Sequence, residues 1–374
     1  FSVMSTGKTR VLFLVLEMDL GGLQRVVSLL IDKIDKNRFE PYVACLDRGG
    51  VFFEQASRAS AGSYILGRKP GLFDRQLFFR LLKVVRQNKI DIIHSHNGCS
   101  SYAALAGRLA GVKGVIHTDH GRLVPDKKSA ILEDRVSAML MYRFIGVSAE
   151  LSEYLVSTLR IYGKKVRTII NGVNDQTFCP LKPEERLAQR AQLGIAPGDK
   201  VIGTVCRLDP VKNLDFMIAC MPAIVRSVPD AKLIIAGDGS ERASLIAKAA
   251  SLGVSSSVRF LGLRRDTEKI MPALDVYACT SLSEGTSMTI LEAMACGLPV
   301  VASAVGGNVR LIDQTSGVLY PLEAGEKFVD AVTSLLLDES ASAALGHQGR
   351  RKVKAEFSLE RMVQTYEELY AELM

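Results

Sequence analysis

The chain contains no apolar run of 18 or more residues, and its most apolar early stretch, residues 11–16, is short and followed by Glu17 and Asp19. Neither a membrane span nor a secretion signal is therefore expected. Met4 reads as the natural first residue, with residues 1–3 an appended segment. The seven cysteines are odd in number, scattered, and include no Cys-x-x-Cys pair. That argues against a disulfide framework or structural zinc and fits a reducing, cytosolic compartment. No Asp-x-Asp pair is present to hold a divalent metal. The loop Asp19-Leu20-Gly21-Gly22 follows the first apolar run but lacks the Gly-x-Gly-x-x-Gly that a nicotinamide dehydrogenase needs there. Ser5-Thr6-Gly7-Lys8-Thr9 imitates the end of an ATPase phosphate loop. Ser2 stands where its first glycine belongs, and the segment precedes the strand rather than following it.

The 374 residues, 48% of them hydrophobic with mean hydropathy +0.16, exceed what one core usually serves. Two domains are expected. Charge is uneven: residues 1–180 carry 26 Lys and Arg against 16 Asp and Glu, an excess of +10, while the whole chain has +7. Residues 73–86 set Arg75, Arg80, Lys83 and Arg86 among apolar neighbours. Such a segment can attract anionic lipid head groups, or it can be a solvated helix with a core-facing stripe. No nucleic-acid-binding motif accompanies the charge.

Short apolar runs at 11–16, 42–46, 90–94, 115–117 and 144–147 alternate with helical patterns, and a second series follows at 201–205, 233–236, 258–261, 276–278 and 300–302. Each series reads as a parallel α/β sheet, giving two Rossmann-like halves. The domains are expected at 1–175 and 176–356, with the hinge near 175–198. Ligands of open α/β sheets bind beyond the carboxyl ends of the strands, so two facing sheets would form a cleft.

The densest motif is residues 283–299, Ser-Glu-Gly-Thr-Ser-Met-Thr-Ile-Leu-Glu-Ala-Met-Ala-Cys-Gly-Leu-Pro. Met288, Leu291, Met294 and Ala295 repeat at helical spacing, Gly297 and Pro299 end the run, and the helix is expected to begin near Thr286. Its first amides have no partners within the helix and carry the positive end of the helix dipole, so a diphosphate suits them, with Gly285, Thr286 and Ser287 the donor-binding candidates. Carboxylates cannot share that guest. Glu284 before the helix, and Glu292 about 9 Å along it, would instead accept paired hydroxyls of a sugar and a ribose. Read without context, Glu284 is a loop charge and Glu292 a solvated helix position.

Four of the five histidines form two clusters, His94-Ser95-His96 and His117-Thr118-Asp119-His120. Alternate strand positions share a face, so a zinc or iron site is one reading and satisfied structural histidines another.

The Glu-x7-Glu pattern of Glu284 and Glu292, with its Gly-Leu-Pro-Val-Val-Ala tail, resembles the family 4 glycosyltransferases, and other motifs of that family follow in order along nearly the whole chain. The resemblance implies a GT-B fold, in which two Rossmann-like α/β domains face each other across a cleft, and a final helix at 357–374 that packs back on the first domain. The first domain would bind the acceptor and the second the donor. The activity implied is retaining transfer of a hexose-type residue from a nucleoside diphosphate sugar, by default of UDP, to a saccharide or lipid-linked saccharide, without metal or other cofactor. Gly203 to Asn213 resembles the family's strand-exit motif, with Arg207 and Lys212 on the donor diphosphate; two cations suit a leaving group that gains negative charge. Thr118-Asp119-His120 resembles its T-x-H motif and places His120 at the transferred sugar, which argues against metal. Gly21 and Gly22 would approach the donor through backbone. Arg310 stands where the family usually has glutamate. No nucleic acid partner is implied, and an anionic membrane on the cytoplasmic side is a candidate partner. A nucleotide-sugar 2-epimerase and a non-catalytic nucleotide-sugar binder remain the alternatives.

Overall fold

A computed structural model of the chain describes residues 7–19, 21–69, 74–121, 127–322 and 324–374. Two compact units are present: residues up to Asn171 together with Glu360–Met374 form the first, and Gly172–Leu359 the second.

The first unit is built on a seven-stranded sheet of order β3-β2-β1-β4-β5-β6-β7. Its strands are β1 (Thr9–Glu17), β2 (Phe39–Arg48), β3 (Gly62–Ile65), β4 (Ile92–His96), β5 (Gly114–Asp119), β6 (Arg143–Gly146) and β7 (Val166–Thr168). Every pairing is parallel. Central strands of such a sheet are covered on both faces, which explains the uninterrupted apolar run of β1, where Val11 to Val15 are all fully buried. The edge strands β3 and β7 are short and contain no buried residue, so they carry no such signature. β4 lies two residues beyond the expected 90–94, because Ile90 and Asp91 form the turn into it.

Helices α1 (Gly22–Lys33), α2 (Val51–Arg58), α3 (Arg75–Gln87), α4 (Ser100–Ala110), α5 (Lys128–Leu140) and α6 (Ala149–Ser157) connect these strands. Asp74 caps α3 by accepting from the Leu77 amide at 3.0 Å. The apolar stripe of α3, with Leu77, Leu81 and Val85 essentially sealed, faces the core. Its cations remain exposed, while Phe73 lies outside the described residues, as do Ser5, Thr6 and Leu20. The C-terminal helix Leu359–Ala371 buries Met362, Tyr366, Leu369 and Tyr370. Its Glu367 accepts from the Asp35 amide at 2.7 Å, and Glu372 pairs with Arg167 at 3.0 Å.

The second unit holds a six-stranded sheet of order β10-β9-β8-β11-β12-β13, from β8 (Lys200–Val205), β9 (Ala231–Ala236), β10 (Val258–Gly262), β11 (Val276–Cys279), β12 (Val300–Ser303) and β13 (Val318–Tyr320). Its helices begin with α7 (Pro183–Gln192), α8 (Leu214–Ser227), α9 (Arg242–Ser251), α10 (Thr267–Ile270) and α11 (Met288–Ala295). The unit starts at Gly172 because Val173 already pairs with the returning chain. The Val173 amide donates to Phe357 O at 2.9 Å, and the Leu359 amide donates to Val173 O at 3.0 Å.

Candidate active site

In the second unit the carboxyl ends of β8, β9, β11 and β12 converge, and backbone contact is tight where they meet. A Cβ on Gly237 would lie 1.8 Å from Cys206 O, and one on Gly306, at φ +45°, would lie 2.0 Å from Glu284 O. Any side chain at these two positions would push the strand exits apart. The Gly307 amide then donates to that same Glu284 carbonyl at 3.1 Å, which fixes the loop carrying the carboxylate.

β8 runs out through Cys206 and Arg207 into the short 3-10 turn Pro210–Lys212, closed by Asn213 in the left-handed region at φ 52°. Thr280, just after β11, donates its hydroxyl to Lys212 O at 3.0 Å, and the Leu282 amide donates to Val211 O at 2.8 Å. These bonds hold the turn against the β11 exit. Lys212 Nζ consequently meets Glu284 Oε1 at 2.7 Å, and Ser281 Oγ donates to the same oxygen at 2.6 Å. Both charged side chains are largely shielded, 21% and 11% exposed. Burial alone would lower the lysine, but the charge and hydrogen bond of Glu284 outweigh it and hold Lys212 above its ordinary pKa. Lys212 is a fixed cation.

Arg207 differs. Its side chain is 72% exposed and pairs with Asp209 at 2.9 Å. Such a surface pair holds its partners weakly, so the guanidinium can be redirected to another anion at little cost.

α11 begins at Met288, two residues beyond Thr286, because Ser287 is extended and occupies the N-cap without a side-chain capping bond. No acidic residue lies in the first turn. The first amides of the helix thus face the end of the loop Gly285-Thr286-Ser287 with no side-chain cap competing for them. Glu292 lies in the second turn and is 2% exposed, flanked by sealed Ile290, Leu291 and Ala293. The structure therefore brings Lys212 and Glu284 into contact and leaves Glu292 buried rather than solvated.

In the first unit the sheet register aligns the histidines: Phe13 with His94, Ser95 with His117, and His96 with Thr118. His94 is saturated, with Nδ1 at 2.6 Å from Tyr370 Oη and Nε2 at 2.7 Å from Thr118 Oγ1, whose hydroxyl also meets Tyr366 Oη at 3.2 Å. His117 Nδ1 meets Ser95 Oγ at 2.9 Å. His96 Nδ1 and His120 Nε2 lie 3.0 Å apart, leaving His96 Nε2 and His120 Nδ1 buried with no hydrogen-bond partner among the described residues. The His120 amide donates to Asn97 Oδ1 at 2.7 Å, which locks the end of β5. Among the described residues no group of three His, Cys, Asp or Glu is placed to hold a metal ion.

Burial pushes His94 and His96 well below the usual histidine range and His120 down to about 3. All three are neutral near pH 7. In the unfolded chain they take up protons near pH 6.5, so their burial favours the folded state fully above that value, and this contribution is lost as pH falls through and below it. Thermal melts should therefore show Tm declining once pH drops below about 6.5; a Tm unchanged down to about pH 5 would contradict this protonation scheme.

Gly21 is the extended N-cap of α1 and Gly22 its first residue, beyond the end of β1. A Cβ on Gly21 would meet only the movable end of Gln24, at 2.2 Å, so packing does not demand glycine there. Arg310 pairs with Glu356 at 3.1 Å on the surface. Sequence reasoning missed Ser281 and Thr280, which brace the Lys212 and Glu284 pair, as well as Tyr366 and Tyr370 beneath the histidines. The serine and threonine sit just ahead of the 283–299 motif, but the tyrosines are distant in sequence and leave no local signal.

Two family models match the chain: Glycosyltransferase Family 4 over residues 20–177 and Glycosyl transferases group 1 over residues 185–352. The D-inositol 3-phosphate glycosyltransferase of Saccharomonospora viridis is 31% identical over 309 residues, 76% of this chain and 70% of that protein. The UDP-Gal:alpha-D-GlcNAc-diphosphoundecaprenol alpha-1,3-galactosyltransferase of Escherichia coli is 26% identical over 374 residues, 95% of each chain. Among solved structures, HepE of Anabaena in complex with UDP superimposes with a TM-score of 0.86 at 22% identity, covering 97% of this chain and 100% of that one. With the two parallel-sheet Rossmann-like units already described, these matches establish that the chain belongs to the family 4 glycosyltransferases of GT-B fold and is a sugar-transferring enzyme.

Proposed function

We propose that the second unit holds a nucleoside diphosphate sugar at the Lys212 and Glu284 pair and that the chain transfers its hexose, with retention, to a saccharide or lipid-linked saccharide. The observation carrying this reading is the 2.7 Å contact between a fixed cation and a braced carboxylate just before the uncapped start of α11. The diphosphate sits on the α11 amides with Lys212 and, swung from Asp209, Arg207. Glu284 accepts sugar hydroxyls, Glu292 the ribose, and Gly285, Thr286 and Ser287 line the phosphates. In the first unit Gly21, Gly22 and His120 serve the reacting sugar, and the remaining loops take the acceptor.

In the reaction the bond from the anomeric carbon to the diphosphate breaks, and a bond to the acceptor oxygen forms on the same face. The acceptor proton passes to the departing phosphate oxygen, whose growing charge Lys212 and Arg207 offset. No metal is assigned a part. UDP is the proposed nucleotide, a choice supported by the UDP-Gal donor in the name of the Escherichia coli relative and by UDP in the HepE structure. The diphosphoundecaprenol in that relative's name likewise supports a lipid-linked acceptor, a peripheral place at a membrane and a part in polysaccharide assembly.

A thermal-shift panel of UDP, GDP, ADP and their sugars tests the donor. A ligand that binds only the folded state at about 100 times its Kd stabilises by about 2.7 kcal/mol. UDP and a UDP-sugar should raise Tm most. No shift with any nucleoside diphosphate would overturn the reading, and a new epimer formed from donor alone would replace it with an isomerase.

A further inference from the structure

The apolar side of α3 is sealed in the core, so among the described residues of the segment whose charge suggested lipid contact only Phe79, 65% exposed, is left as an apolar group for insertion. The adjoining helices supply what it lacks. α3 packs on α4, and α4 on α5. On α5, Leu132 is 58% exposed, Val136 52% and Met139 74%, spaced so that they fall on one outward face, with Leu140 at 44% beside them. On α4, Leu105 and Leu109 face outward in the same way, at 40% and 56%. A solvent-facing helix side normally carries polar residues, and an apolar surface spread over three neighbouring helices marks an interaction site.

The charge on these helices is mostly positive. Together α3, α4 and α5 hold seven Lys and Arg against two Asp and Glu. The two acids, Glu133 and Asp134, accept from the Ser101 and Ser100 hydroxyls, each at 2.6 Å. At the end of this surface a pocket of about 290 Å³ is lined by Arg108, Lys113, Met139, Leu140 and Tyr142; Lys113 also lies 3.6 Å from Asp91, a half-exposed pair that holds it weakly. Cations beside exposed aliphatic side chains are the arrangement that an anionic lipid surface recognises.

We infer that the outer face of α4 and α5 docks on an anionic bilayer, with Leu132, Val136, Met139 and Leu109 entering the head-group boundary and a lipid phosphate seated by Arg108 and Lys113. The inference deepens the lipid-linked acceptor reading: it names the surface that brings the first unit to such an acceptor. It differs from lipid binding by α3 alone, whose cations here flank the contact.

The test is co-flotation of the intact protein with phosphatidylcholine vesicles, with and without phosphatidylglycerol. The wild type should float with the anionic vesicles only and be released by salt, since each cation near such a surface acts within a Debye length. Leu132→Ser/Val136→Ser/Met139→Ser should lower partitioning at least about tenfold. Arg108→Glu, a single exposed change, should lower it too and keeps the test intact if the triple variant misfolds. The UDP thermal shift of both variants should match the wild type, because the donor site lies in the second unit. A wild type that never floats, or a folded triple variant that floats equally well, overturns the proposal. So does a dimer that the triple variant breaks, which would assign this face to a second copy. Flotation without any nucleotide shift would keep the docking surface and overturn the donor reading instead.

Discussion

Glu284→Ala should abolish sugar transfer, by at least about 100-fold in kcat, while UDP still binds. Glu284 accepts from Lys212 and Ser281 through one oxygen, Oε1. Its second carboxylate oxygen is therefore the one to take a sugar hydroxyl, and removing the side chain takes away that contact without touching the α11 amides. It also frees Lys212 from its counter-ion, so UDP affinity should hold or rise, as nothing then competes with the diphosphate for the ammonium. Parallel titrations of UDP and UDP-sugar would separate the two effects. Equal loss of UDP and UDP-sugar binding would remove Glu284 from the sugar and place it in the general structure of the loop.

Lys212→Ala should cut kcat by about 10²-fold or more, the scale seen when a stabiliser of developing charge is removed. The expected loss is larger than for Arg207→Ala, for a geometric reason. Thr280 and Leu282 bond the turn carrying Lys212, so its ammonium is already in place when the phosphate leaves, whereas the exposed Arg207 must first be drawn from Asp209. Lys212→Ala should also cost the fold roughly 1–2 kcal/mol, since Glu284 retains only the Ser281 hydroxyl of its two close partners. Steady-state kinetics beside thermal melts would tell the two losses apart. Near-wild-type turnover in the lysine variant would mean another cation carries the leaving group.

How much of this was legible depended on where each signal resides. β1 and β2 were readable because strands buried on both faces write continuous apolar runs, as in the sealed stretch from Val11 to Val15. β3, β7 and β13 are edge strands of three or four residues, too short to write an apolar run, and the sequence pattern predicts none of them. α11 starts two residues after the expected Thr286 because Ser287 takes an extended N-cap conformation, which the spacing of apolar residues does not disclose. Glu284 and Lys212 were each visible in a motif, yet their contact spans 72 positions and depends on the β8 and β11 exits lying side by side. The amphipathic pattern of α3 was real but pointed inward. The apolar face of α5 escaped notice because a helix with outward aliphatic residues looks, in sequence, like one with a broad core side. His94 shows the same limit: its partner Tyr370 is 276 positions away, so only the fold discloses that it is saturated.

Proton NMR of a UDP-α-hexose turned over in EDTA, first with water and then with a lipid-linked saccharide as acceptor, tests the central claim most directly. The account predicts that UDP and sugar appear in equal amounts without added metal, that the sugar is first released or linked as the α anomer, and that Glu284→Ala and Lys212→Ala remove the signal. A β anomer formed first, a donor epimerised while still attached to UDP, or turnover that stops without Mn²⁺ or Mg²⁺ would contradict it.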